Sequence, residues 1–135
     1  MGDIIYNFGS NAGKVWDTLN KRGPLTEYKI MKATKLNKYD FYTAVGWLAR
    51  EDKICLNNKD YCLGETNIAD NIGKDAGRIF DLLNTYEEID MNFIQKITGF
   101  TPEDTYYALG WLAREGKISA KKVLPKKPQI YLKLK

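Results

Sequence analysis

The sequence predicts a mainly α fold with small β-hairpins, built as two tandem units of one design. Three observations carry this. First, Ala44-Val45-Gly46-Trp47-Leu48-Ala49-Arg50-Glu51-Asp52-Lys53-Ile54 returns as Ala108-Leu109-Gly110-Trp111-Leu112-Ala113-Arg114-Glu115-Gly116-Lys117-Ile118, an offset of 64 residues. Second, the offset holds without a gap back to Ile4 and Ile68, and 22 of the 51 aligned positions are identical. Third, each copy holds three stretches with apolar residues at helical spacing, followed by two short apolar segments around a turn. A period this long, present twice, marks a duplicated domain rather than a solenoid. The expected boundaries are 1–64 and 65–135, joined at Gly64-Glu65-Thr66-Asn67. A unit of about 60 residues buries only about 60% of its unfolded surface. The two are therefore expected to pack on each other.

Taken in order, Ile4-Ile5-Tyr6 is a short apolar run that reads as a strand. Asn11 is placed to cap a helix running to about Arg22, with Ala12, Val15, Trp16 and Leu19 on one face. Gly23-Pro24 stops it. Thr26 caps a short second helix that offers Ile30, Met31 and Ala33 to a core. Asn37, with Asp40 three residues on, resembles a capping box and opens a third helix with the stripe Phe41, Ala44, Val45, Leu48. Lys53–Asn57 and Asp60–Leu63 read as strands around an Asn58-Lys59 turn, which sets Cys55 opposite Cys62. The second copy repeats the order. Asp75 and Asp90 stand at the cap positions, Pro102 takes the first turn of the third helix, and Ala76, Ile79, Phe80 and Leu83 stripe the first. Its hairpin, Ile118–Val123 and Ile130–Leu134, spans Pro125-Lys126-Lys127-Pro128.

Strand, three helices and hairpin in about 60 residues is the winged helix-turn-helix order, the hairpin being the wing. The expected fold is two tandem winged helix-turn-helix domains. The run Asn11-Ala12-Gly13 and the closing Gly46-Trp47-Leu48-Ala49-Arg50-Glu51-Asp52-Lys53-Ile54, with their repeats, resemble a small winged-helix family of bacteria and archaea in which the unit usually occurs singly. The resemblance covers nearly the whole chain. It implies the fold and brings no functional residues with it.

Composition narrows the function. The chain has no histidine, the commonest general base and metal ligand. It has no glycine-rich phosphate loop and no paired nucleophile and base, so an enzyme is not expected. No cofactor or metal is expected either, since two cysteines are too few for a thiolate zinc site. No apolar run approaches a membrane span. Met1–Tyr6 lacks the charged and apolar regions of a signal peptide, and Tyr6 stands where a myristoylation signal has Ser or Thr. The expectation is a cytoplasmic protein, whose thiols a reducing compartment keeps free.

The net charge of +4 is unevenly distributed, with +3 over residues 1–64, −6 over 65–116 and +7 over 117–135. This asymmetry points to a polyanionic partner. The candidate nucleic-acid contacts are Lys35 and Lys38 before the third helix, Tyr39, Tyr42 and Thr43 on its outward face, and Lys121, Lys122, Lys126 and Lys127 in the second wing. Glu103 and Asp104 at the equivalent place in the second copy would repel phosphate, and neither helix carries mid-face Arg, Asn or Gln to read bases. The leading expectation is nucleic-acid binding, DNA above all, of modest sequence specificity, in the manner of a transcription regulator. The alternative is a scaffold of paired winged helices that docks an acidic protein partner.

Gly46 and Gly110 interrupt the third helices at equivalent places, at a cost of about 1 kcal/mol each relative to alanine. With Tyr42 and Tyr106 beside them they form notches for the close approach of another backbone, within the chain or in a homodimer, or make room for a bulky neighbour. Trp47 and Trp111 read as anchors between helix and hairpin, Trp16 as core, and Arg50 and Arg114 as helix-end ion pairs.

Overall fold

The computed structural model describes residues 3–123 and 129–135. The first half runs α1 (Ile5–Arg22), β1 (Leu25–Thr26), α2 (Glu27–Thr34), α3 (Lys38–Arg50), β2 (Ile54–Asn57) and β3 (Asp60–Leu63). The second repeats it as α4 (Ala69–Thr85), β4 (Ile89–Asp90), α5 (Met91–Thr98), α6 (Pro102–Arg114), β5 (Ile118–Val123) and β6 (Gln129–Leu134).

The expected opening strand is instead the first turn of α1, and Asn11 and Asp75 lie inside helices rather than capping them. The reason is the length of the apolar stripe. Phe8 extends Ala12, Val15 and Leu19 by one turn, and Ile72 does the same for Ala76, Ile79 and Leu83, so each helix begins earlier. Trp16 stands at the edge of that stripe and is 37% exposed, not core. The strand lies after the first helix. Leu25 and Thr26 pair with Tyr61 and Asp60, and Ile89 and Asp90 with Leu132 and Tyr131. Each half thus has a three-stranded antiparallel sheet, ordered β1-β3-β2 and β4-β6-β5.

Thr26, Asn37 and Asp90 cap as the sequence predicts, and Thr101 caps the helix that Pro102 opens. The side chains of Thr26, Asn37, Asp90 and Thr101 accept from the amides of Lys29, Asp40, Phe93 and Asp104 at 3.4, 2.8, 2.7 and 3.1 Å. The first hairpin has the predicted register, with 57 opposite 60, 56 opposite 61 and 55 opposite 62. Cys55 and Cys62, expected as free thiols, are joined by a disulfide across that hairpin. Directly opposed residues on antiparallel strands bring their Cα atoms to 5.1 Å, inside the range a disulfide spans. The turn of the second hairpin, with Lys126 and Lys127, lies outside the described residues.

The halves are interlocked. Phe8 of α1 is buried in the core of the second half, and Ile72 of α4 in the core of the first. The segments before these helices close the sheet edges in matching ways. The Ile4 amide donates to the Ala120 carbonyl at 2.9 Å, and Asp3 accepts from the Ala120 amide. Asn67 accepts from the Leu56 amide and donates to its carbonyl, both at 2.9 Å. Leu56 and Ala120 are themselves 64 residues apart, so the repeat carries its edge protection with it.

Candidate nucleic-acid interface

In a winged helix-turn-helix the third helix is the element that enters a groove of DNA. Here α3 and α6 pack against each other. Residues 41–46 are all buried, as are Leu48 and Ala49, and Thr105 and 107–110 are buried in α6. Gly46 and Gly110 make the crossing. A β-carbon on Gly46 would overlap the Tyr107 carbonyl oxygen, and one on Gly110 the Thr43 carbonyl oxygen. The close approach of another backbone is thus the use of both glycines, and the backbone is the other half's. Trp47 and Trp111 pack against both cores and rest on α1 and α4, where a β-carbon on Gly9 or Gly73 would come to 3.0 or 3.3 Å of an indole.

The helix ends exchange charges across the pseudo-dyad. Arg50 Nε donates to Glu115 at 3.1 Å and Arg114 Nε to Glu51 at 3.0 Å, and each guanidinium also lies over the other half's indole. The sequence assigned these arginines to helix-end pairs, and the partners prove to be in the opposite copy.

Three residues expected to face outward on α3 therefore divide. Tyr42 and Thr43 are buried at the crossing. Tyr42 donates to Glu27 at 3.1 Å and meets the Tyr107 ring edge-on. Tyr39 is 45% exposed, with its ring stacked on Tyr106 at 4.4 Å. Beside them, Tyr107 donates to Glu103 at 2.9 Å, and since its one proton is used there, Tyr61 donates to Tyr107. Burial, above all, raises the pKa of Tyr42, Tyr61, Tyr106 and Tyr107, to about 12 for Tyr61 and Tyr106. They stay protonated donors at any physiological pH.

What α3 leaves exposed is its first turn, and the second wing reaches it. Lys122 of β5 and Lys14 of α1 line one cleft of about 310 Å³ with Asn7, Asn11 and Asp40. Asp40 is shifted upward by burial, while Lys122 and Lys14 pull it back down. Lys38 stands at the start of the same turn, exposed, and Lys35 just before it. Lys35 holds a left-handed backbone, φ 62°, where the second half has Gly99 at φ 75°. A left-handed lysine costs roughly 1 kcal/mol that glycine would not.

Neighbouring residues on a strand face opposite ways, so Lys121 points away from this cleft and pairs with Glu88 at 3.4 Å. The equivalent place in the second half is acidic. Asp75 is raised by burial and then by Asp104, with Arg78 pulling down, and Glu103 adds a further carboxylate. The fold repeats, and the charge does not. Sequence reasoning missed Lys14, because it started the first helix at Asn11. A helix begun at Ile5 would have put Asn7, Asn11 and Lys14 on one polar flank.

The winged helix-turn-helix domain family DUF2582 matches the chain twice, over residues 2–64 and 66–132. The chain belongs to this family. It carries the domain as a tandem duplication, in a fold typical of nucleic-acid binding rather than catalysis. No curated protein and no solved structure matches it. Among the described residues no helix is long and apolar enough to cross a membrane, and no group of side chains could hold a metal ion.

Proposed function

We propose that the protein binds nucleic acid, DNA in the first place, through the phosphate backbone and with little sequence preference. The observation that carries this reading is the meeting of the second wing with the first half's helix-turn-helix. Lys122 and Lys14 converge on the start of α3, beside Lys38 and the strained Lys35. Lysines at such a place offer charge to phosphates. Because α3 and α6 spend their middles on each other, the base-reading face of an ordinary winged helix is not available, and affinity rests on counterion release. A regulatory role, if the protein has one, works through occupancy or shape rather than base readout.

The test is a duplex-binding titration at several salt concentrations. Lys14→Ala, Lys38→Ala and Lys122→Ala together should weaken binding to every sequence equally and lower the log-log salt slope by about one unit per lysine. Glu103→Ala with Asp104→Ala should leave binding intact or strengthen it. A wild-type protein that binds neither DNA nor RNA at low salt refutes the reading and leaves the protein-scaffold alternative.

A further inference from the structure

A second cationic cleft lies at the other end of α1. Arg22, Lys29 and Lys32 surround a hollow of about 390 Å³ floored by Leu25 and Ala33. All three cations are exposed, and among the described residues none is in an ion pair. The nearby carboxylate of Asp17 is taken by Lys21 at 2.9 Å. The fold does not require this arrangement. At the 64-residue offset Arg22 and Lys29 are replaced by Tyr86 and Phe93, whose rings meet edge-on at 5.0 Å, and of the three cations only Lys32 has a charged counterpart, Lys96. One copy keeps three like charges at the hollow, which repel one another unless an anion joins them. Tyr28 stands beside it, 72% exposed, with the Lys32 ammonium 6.0 Å from its ring centroid.

We propose that this cleft is a second phosphate-binding site for the same polynucleotide, a reading that rests on the function proposed above. Lys14, Thr18 and Arg22 recur every four residues along one flank of α1, which links the two clefts. Eight residues at 1.5 Å each set Lys14 and Arg22 about 12 Å apart along the axis. That is roughly three to four base-pair steps of a duplex strand, so one backbone can contact both clefts.

The experiment compares four proteins in salt-titrated binding to a duplex of unrelated sequence, with inorganic phosphate as competitor in a parallel series. They are the wild type; Arg22→Ala, Lys29→Ala and Lys32→Ala together; Lys14→Ala, Lys38→Ala and Lys122→Ala together; and a control that loses three charges elsewhere, Lys59→Ala, Lys74→Ala and Lys96→Ala. The expected result is a loss of tenfold or more for the Arg22 set at about 0.1 M salt. Its salt slope should fall by about two to three units, with the control changing far less and the melting temperature unmoved. Millimolar phosphate should not mimic the loss, because the ligand is a polymer. If the Arg22 set matches the control while the Lys14 set weakens binding, this cleft is idle and the first reading stands. If the Arg22 set alone weakens binding, this site stands and the first is wrong. No binding by the wild type overturns both, and displacement by phosphate alone overturns the polymer assignment.

Discussion

Gly46→Ala is the sharpest structural test, because the same substitution at Gly13 should have the opposite sign. A β-carbon at 46 would overlap the Tyr107 carbonyl oxygen and crowd the Trp111 amide, both main chain. Neither can swing aside as a side chain would, so α3 and α6 must part. A gap of about 1 Å forfeits a quarter to a half of the dispersion energy across it. Overpacking costs about 1–3 kcal/mol, and a main-chain obstacle belongs at the upper end. Alanine returns about 1 kcal/mol of helix propensity, which leaves a net loss of about 2 kcal/mol. For a chain of this length that lowers the melting temperature by about 6–10 °C. At Gly13 an added β-carbon meets nothing within 4 Å, and the residue is inside α1. Gly13→Ala should therefore gain about 0.5–1 kcal/mol. Thermal and denaturant melts of the two variants read the difference. A Gly46→Ala protein that is as stable as Gly13→Ala would refute the crossing. Gly110→Ala should behave as Gly46→Ala, and the double variant should cost less than the two losses added, since the helices need part only once.

The remaining predictions concern charge and polarity. Glu115→Gln breaks the exchanged pair with Arg50, and since that arginine is half-exposed, the loss should stay below about 1 kcal/mol and shrink further in high salt. Lys35→Gly should raise stability by roughly 0.5–1 kcal/mol by relieving the left-handed backbone, while weakening duplex binding in the same preparation. The Asp40 carboxyl titrates above its ordinary value of 3.8, mainly through burial. The folded state then holds that proton to higher pH than the unfolded chain does. Stability should fall as pH rises from 3.8 through the raised value, and Asp40→Asn should remove that fall in denaturant melts across the acid range.

Much of the fold was legible because helix caps and hairpin registers are local. Thr26, Asn37 and Asp90 each cap the helix their position predicts, and Cys55 faces Cys62 as turn spacing requires. The start of α1 was not legible from Asn11 alone, because its first turn is held by the other half: Phe8 is buried in that half's core. Long-range packing likewise decided the site. Tyr42 has the pattern of an outward residue within one unit, and only the α3–α6 crossing buries it. Lys122 was read from charge alone, while its neighbour Lys121, identical in type, is spent on Glu88. The glycine notch was visible as an anomaly, a helix-weakening residue kept in both copies, and the anomaly pointed to the crossing.

A pair of winged helices that grips the nucleic-acid backbone while its recognition helices hold each other should bind unrelated sequences about equally. The most direct measurement is wild-type binding to a panel of unrelated duplex sequences over a range of salt. Dissociation constants should agree within about tenfold across the panel, well below the roughly 10³-fold or greater preference of specific binders. They should share one steep salt slope. A single sequence preferred by about 10³-fold would require base contacts from faces of α3 and α6 that are buried here, and would overturn backbone-only binding, as would the absence of any binding at low salt.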